Sequence, residues 1–118
     1  MGDWHQAEEH AERAELLLAR GRGAEAEAEI RRAIEIDPVR GEWHAALAMV
    51  LESVDRLEEA LASMRQAAVL LPDDVLPITS AAELSLRLDR PAEALEHAER
   101  AIEFPEAEEQ VHAVRIAA

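Results

Sequence analysis

Histidine is the residue type whose spacing in this 118-residue chain could support metal chemistry. His10 and His44 lie 34 residues apart, and two such intervals lead from His44 to His112. Imidazole is a common zinc ligand, but ligands of one ion need nitrogens within about 3–4 Å, whereas equivalent positions of stacked helices lie about 10 Å apart. We therefore predict no metal site and expect each ring to bond a neighbouring carbonyl or carboxylate. His5 and His97 are predicted to be surface residues.

Pairs of carboxylates are a second possible source of chemistry. Pairs such as Glu8 with Glu12, or Glu58 with Glu59, are abundant, but no apolar enclosure surrounds them in the sequence. Without such enclosure no carboxyl pKa rises enough for acid catalysis. The sequence also contains no P-loop, nucleophile elbow or His-Glu-x-x-His motif, and aromatic residues make up only 3% of it. We therefore predict that the chain is not an enzyme and holds no cofactor.

The overall charge limits the class of partner. The chain has 12 basic and 26 acidic side chains, so its net charge is −14. A surface of this sign repels phosphate backbones and anionic membranes, so nucleic acid is not an expected partner. The acidity either keeps a helical surface solvated or attracts a basic partner. No apolar run approaches the roughly 20 residues that span a bilayer, and no signal peptide is visible, so we expect no membrane insertion and a cytoplasmic location.

A 34-residue period organises most of the chain. Each unit has a large residue, a small one and a large one, then alanine, a large residue three or four positions on, alanine and proline. The second unit holds His44, Leu47, Ala48, Leu51, Ala60, Met64, Ala67 and Pro72. The first holds His10, Arg13, Ala14, Leu17, Ala26, Ile30, Ala33 and Pro38. The third is weaker, with Ile78, Ala81, Ala82, Ser85, Ala94, Ala98 and Ala101, and with Leu84 and Leu88 predicted to supply the missing bulk.

These residues resemble the tetratricopeptide repeat family. The resemblance implies an all-α solenoid of helical hairpins in a right-handed superhelix, with three repeats at about 7–40, 41–74 and 75–108 and a seventh helix at 109–118. That last segment would be a capping helix or the opening of a fourth repeat. The sequence departs from the family pattern at Arg13, at His10 and His44, and at Glu106, where proline is expected.

Helix boundaries follow from glycine, proline and aspartate. The predicted helices run over about 3–20, 24–36, 42–54, 57–71, 77–88 and 91–104. Gly21-Arg22-Gly23, Asp55-Arg56 and Asp89-Arg90 are the predicted turns within the hairpins.

The resemblance also implies a concave groove, lined by the first helix of each hairpin, that holds extended or helical peptides. Family members that clamp a peptide carboxylate use cationic and amide residues there, whereas this chain offers six glutamates and only Arg87 as a cation. We therefore predict an adaptor or scaffold that binds a basic or amphipathic peptide of a partner protein. The candidate groove residues are Glu8, Glu12, Glu15, Leu18, Glu42, Met49, Glu52, Glu83, Leu86 and Arg87.

Two other functions stay open at this stage. In the first, the chain forms a homo-oligomeric scaffold through its open C-terminal end, with Trp4, Val111, Val114 and Ile116 as the self-association candidates. In the second, the chain is a non-catalytic interaction module of a longer multidomain enzyme, because the seventh segment stops within what should be the first helix of another repeat. We expect a fragment of a longer array rather than a complete protein.

Overall fold

The computed structural model describes residues 3–104, which form six α-helices and contain no strand. The helices are α1 (Asp3–Ala19), α2 (Gly23–Ile36), α3 (Gly41–Ser53), α4 (Leu57–Leu70), α5 (Leu76–Arg87) and α6 (Pro91–Ala101). All six were predicted from the sequence. The largest difference is at the end of α6, which stops at Ala101 rather than at about Phe104.

The helices pair in chain order into hairpins. The pairs are α1 with α2, α3 with α4 and α5 with α6, and successive hairpins pack through α2 against α3 and α4 against α5. Each hairpin therefore contacts its chain neighbours, which is the arrangement of a solenoid. The molecule is accordingly elongated, with dimensions of 44 × 28 × 18 Å.

The turn inside each hairpin has the same backbone geometry. Gly21, Asp55 and Asp89, which lie 34 residues apart, all have positive φ, at 75°, 63° and 59°. The next residue donates its backbone N–H to a carbonyl five residues earlier, as in Arg56 N to Leu51 O at 2.9 Å. This left-handed residue with its paired bonds is a Schellman ending, in which glycine is favoured and aspartate is tolerated.

Alanines allow the two helices of each hairpin to approach closely. Their methyl groups are fully buried at two sets of equivalent positions, which are Ala26, Ala60 and Ala94, and Ala33, Ala67 and Ala101. Larger side chains such as Ile30 and Leu61 fill the space between the hairpins. In the third hairpin Leu84 is buried and Leu88 is partly buried against the same core, which confirms the predicted source of bulk there.

Ion pairs link the second helices of neighbouring hairpins on the outer surface. The Arg31 guanidinium lies 3.8 Å from Glu59, so α2 is joined to α4. The equivalent pair 34 residues later is Arg65 with Glu93, which joins α4 to α6. Exposed pairs of this kind each add little stability, so the buried alanine and leucine contacts must hold the hairpins together.

Candidate functional site

Two depressions lie side by side on the surface formed by the first helices of the hairpins, and both are lined by Met49 of α3. One has a volume of about 320 Å³ and lies between α1 and α3. The other has a volume of about 450 Å³ and lies between α3 and the start of α5. We call these two depressions together the first-helix groove. Its lining residues are Ala14, Glu15, Leu18, Ala19, Glu42, Ala45, Ala46, Met49, Val50, Glu52, Met64, Leu71, Asp74, Leu76, Pro77 and Ser80.

The floor of the first-helix groove is mainly apolar. Met49 is 56% exposed, although it lies in the middle of a helix packed on both neighbouring hairpins. Ala14 and Ala46 leave space on one side of it, and the exposed Leu76 stands on the other. An unbranched thioether between small residues gives a surface that adapts to different apolar side chains.

Two of the six predicted groove glutamates are already paired with arginine. Glu52 accepts a hydrogen bond from Arg87 of α5, and Glu8 lies 3.5 Å from Arg40, just before α3. Arg40 also stacks over the Trp43 ring at 4.4 Å from its centroid. The prediction that Arg87 is the only groove cation was therefore wrong, because Arg40 reaches α1 from the loop after α2.

The other four predicted glutamates have no cationic partner within residues 3–104. Glu12, Glu15, Glu42 and Glu83 are all exposed, and no arginine or histidine nitrogen lies within 4.0 Å of their carboxylates in this part of the chain. Glu15 and Glu42 line the two depressions directly. Each depression therefore combines an apolar floor with an unpaired negative charge.

The sequence missed some residues of the groove and included one that lies away from both depressions. Leu71 and Asp74 lie in the connection between α4 and α5, outside the repeated helical positions from which the groove was predicted. Leu86 is partly buried against an apolar cluster that includes Ile78 and Ala82, and it lines neither depression. Only the exposed side of Leu76, at the α5 position equivalent to Glu42, gave a usable sequence signal.

The histidines at the repeated position make the predicted hydrogen bonds. The Nδ1 of His10 donates to Glu29 over 2.6 Å, and the Nε2 of His44 donates to the carbonyl of Pro38 over 2.8 Å. The bond from His10 lowers the pKa of Glu29, against the opposing effect of burial. Residues 3–104 contain no group of three or more side chains placed to hold a metal ion. His112 lies outside the described residues.

His97 is buried, so the prediction of a surface position was wrong. Only 9% of this residue is exposed, because it faces the space between α4 and α6. Its buried Nδ1 has no hydrogen-bond partner among the described residues. Burial, and then the positive charges of Arg65 and Arg100, lower the pKa of the ring. His5, in contrast, is exposed as predicted.

The self-association candidates are only partly covered by the described residues. Trp4 is 55% exposed on α1, and its ring meets that of His5 edge to face at 6.3 Å between centroids. Val111, Val114 and Ile116 lie outside the described residues, as does the predicted seventh helix. Among helices α1 to α6, none combines the length and the apolar character that crossing a membrane requires.

Comparisons with known proteins identify the fold. No family model and no curated protein matches the chain. Solved structures do: the TPR domain of Arabidopsis OM64 superposes with a TM-score of 0.85 at 13% identity, over 96% of this chain and 93% of the other. The TPR2B domain of yeast Sti1, in a complex with pHsp70, gives a TM-score of 0.86 at 18% identity over 96% and 95%. The type III secretion chaperone SycD of Yersinia enterocolitica, in complex with a peptide of the translocator YopD, gives 0.81 at 20% over 93% and 87%.

Proposed function

Because the chain has the fold of tetratricopeptide repeat domains, we propose that it is a non-catalytic protein-interaction adaptor whose first-helix groove binds a basic or amphipathic segment of a partner protein. Two of the similar structures support this proposal, since the Sti1 domain is in a complex with pHsp70 and SycD is in complex with a peptide. The proposal includes the repeat boundaries given above, a cytoplasmic location and no cofactor.

The carrying observation is the position of Met49 between two depressions that are each bordered by an unpaired glutamate. A peptide that places one apolar side chain on either side of Met49 would cover the exposed thioether and the alanine floor. Burial of apolar area stabilises a complex by about 25 cal/mol per Å² before the cost of ordering the peptide. We therefore assign the affinity mainly to apolar contacts around Met49.

The unpaired glutamates determine which peptide fits. A lysine or arginine next to each apolar anchor would meet Glu15 in one depression and Glu42 in the other. An acidic peptide would instead bring like charges together, with the nearby cations Arg40 and Arg87 already paired with Glu8 and Glu52. Charge of this kind contributes more to partner choice and association rate than to affinity. The partner segment is therefore expected to be basic at positions flanking its apolar residues.

Fluorescence anisotropy with two labelled peptides tests the proposal. The first alternates leucine and lysine, and the second carries glutamate in place of each lysine. We expect only the first to bind, and we expect its dissociation constant to rise at least about tenfold between about 50 mM and 500 mM salt, because screening shortens the range of the attraction. Binding of the acidic peptide, or binding of the basic peptide that salt leaves unchanged, would contradict the proposal.

Charge-neutralising variants separate the groove from the general acidity of the chain. Glu15→Gln and Glu42→Gln should each weaken binding of the basic peptide and reduce its salt dependence. Glu99→Gln is the matched control, because Glu99 is exposed on α6 and lines neither depression. If all three variants weaken binding equally, the attraction comes from net charge and the groove has no special role.

Self-assembly is the second candidate function, and the exposed indole of Trp4 favours it. Large aromatic side chains are common anchors of protein interfaces. Light scattering over a dilution series of the full chain gives the oligomeric state. A dimer that Trp4→Ala or Val114→Glu abolishes supports self-assembly, whereas a monomer at every concentration excludes it.

A further inference from the structure

A second groove lies on the opposite surface, between α4 and α6, with α5 as its floor. Two depressions of about 360 Å³ and 400 Å³ form it, and they share Ala68, Val69, Ile78 and Arg100. Val69 is 69% exposed at the rim, although it is a large apolar residue. We call this surface the α4–α6 groove. Its size falls within the range of small-molecule sites, about 300–1,000 Å³.

The preceding repeat contains an equivalent groove with a different lining. Between α2 and α4 a depression is formed by residues that lie 34 positions before each residue lining the first lobe of the α4–α6 groove. Ile34 stands where the later groove has Ala68, Ser63 where it has His97, and Gln66 where it has Arg100. The α4–α6 groove is thus the version with a smaller apolar wall and with an added guanidinium and imidazole.

Arg100 provides a positive charge that the protein leaves unpaired. Within residues 3–104 no carboxylate oxygen lies within 4.0 Å of its guanidinium, although Glu96 and Glu103 are only four and three residues away along the chain. Arg65, at the other side of the groove, is already bonded to Glu93. The free cation of the groove is therefore Arg100, and it borders both depressions.

His97 adds a neutral polar ring to this wall. Burial and the adjacent arginines lower its pKa, so the ring is uncharged at neutral pH. The ring lines the groove, and its Nδ1 has no partner among the described residues. A buried nitrogen in this condition weakens the fold unless something bonds it. A ligand oxygen held near Arg100 would give the ring a partner after a small rotation.

We propose that the α4–α6 groove binds an aliphatic monocarboxylate, with its carboxylate on Arg100 beside His97 and its hydrocarbon chain on Ile78, Ala68 and Val69. A single negative charge matches the single free guanidinium. A phosphate dianion is disfavoured because Glu96 and Glu103 border the same groove and the whole chain carries a net charge of −14. A peptide is disfavoured because the apolar floor offers few partners for its backbone N–H and C=O groups.

Titration of the full chain with octanoate, followed by amide NMR, tests this site. We expect shifts confined to residues around His97, Arg100 and Val69, with none around Ser63 and Gln66 of the equivalent groove. Octanamide, which has the same chain and no charge, should bind at least about tenfold more weakly, because the charge-assisted bond to Arg100 is lost. Equal binding of the acid and the amide, or shifts spread over both grooves, would overturn the proposal.

The equivalent groove supplies variants that the fold already accommodates. Arg100→Gln introduces the residue found at position 66 and should weaken octanoate binding about tenfold or more. Ala68→Ile introduces the residue found at position 34 and should block the apolar part of the groove. Gln66→Arg, in the other groove, is the control and should leave octanoate affinity unchanged. Unchanged affinity in Arg100→Gln would overturn the assignment.

This proposal is independent of peptide binding in the first-helix groove, since the two surfaces share no lining residue. Octanoate affinity should be the same in Glu15→Gln as in the unaltered chain. The basic peptide should likewise bind Arg100→Gln with unchanged affinity. If both variants disturb both ligands, general unfolding is responsible, and the assignment of octanoate to the α4–α6 groove fails with it.

Discussion

Arg56 donates a 2.6 Å hydrogen bond to Glu27, and so ties the turn of the second hairpin to the second helix of the first. The same guanidinium also donates twice to Glu59, at 3.0 and 2.7 Å. Burial alone would raise the pKa of Glu27, but the bonds from Arg31 and Arg56 outweigh it and lower that pKa. Arg56 is therefore the meeting point of carboxylates from two successive hairpins.

Loss of this link should weaken the contact between hairpins. We expect Arg56→Ala to lower the urea midpoint of unfolding more than Arg22→Ala does, because the equivalent Arg22 pairs only with Glu25 of its own hairpin, at 3.3 Å. High salt should reduce the difference, since these side chains are exposed to screening. Equal midpoints at low salt would show that the bond between hairpins contributes nothing.

The left-handed turn position should respond to a methyl group through the backbone alone. Gly21 has a φ of +75°, and a Cβ built there meets nothing within 4 Å. We expect Gly21→Ala to destabilise the fold by about 1 kcal/mol, because an L-residue in this conformation brings its Cβ close to the following carbonyl. Chemical denaturation measures the change.

Asp55 and Asp89 supply the counterpart of that test, because they adopt the same conformation with a side chain present. Asp55→Gly and Asp89→Gly should be neutral or stabilising, whereas Asp55→Ala should resemble Gly21→Ala in its effect. Destabilisation by both glycine variants would show that the aspartate carboxylates stabilise these turns more than the strain opposes them.

The start of α3 should respond to a methyl group through packing. A Cβ on Gly41 would lie 2.5 Å from Leu71 Cγ and 3.1 Å from Leu70 Cβ, so α4 would have to move. We expect Gly41→Ala to destabilise the protein by about 1–3 kcal/mol, as overpacking does elsewhere. Thermal unfolding would measure this. Ala24→Gly, at an exposed position of α2, controls for the general cost of exchanging glycine and alanine in a helix.

Protonation of His97 should destabilise the fold in mildly acidic solution. Its pKa is lowered by burial and by Arg65 and Arg100, which outweigh the opposing charges of Glu96 and Glu93. The unfolded chain therefore binds the proton more readily, so this contribution is complete above the ordinary pKa of 6.5 and is lost as pH falls below it. Replacement by serine should flatten the fall in stability between about pH 6.5 and pH 5.

Denaturation of His97→Ser at several pH values measures that effect. His5→Ser is the control, because His5 is exposed. If the unaltered chain and His97→Ser lose stability in parallel below pH 6.5, the buried ring is not the cause, and other groups determine the acid response.

A charge at the centre of the first-helix groove should abolish peptide binding without unfolding the chain. Met49 is largely exposed, so Met49→Glu should change stability by less than about 0.5 kcal/mol. Affinity for the basic peptide should fall at least about tenfold, because the apolar contact between the depressions is lost. Leu95→Glu, on the partly exposed surface of α6, is the control and should bind normally.

The sequence predicted features that follow from local spacing. The 34-residue period correctly identified the helices, the turn positions and the hydrogen bonds of His10 and His44. It could not show that Arg40 reaches Glu8, because that contact depends on the angle between hairpins. The burial of His97 was missed for a related reason: the space between α4 and α6 depends on how far those helices separate, and the repeat pattern does not encode that distance.

Met49 lines both depressions of the first-helix groove, and its thioether chain has three rotatable bonds. Rotation that widens one depression narrows the other, so the side chain acts as a movable partition between two compartments. An anchor seated on one side thus fixes the size of anchor that the far side accepts. Residue preferences at the two anchor positions of a bound segment should therefore be correlated, with a bulky group at one favouring a compact group at the other.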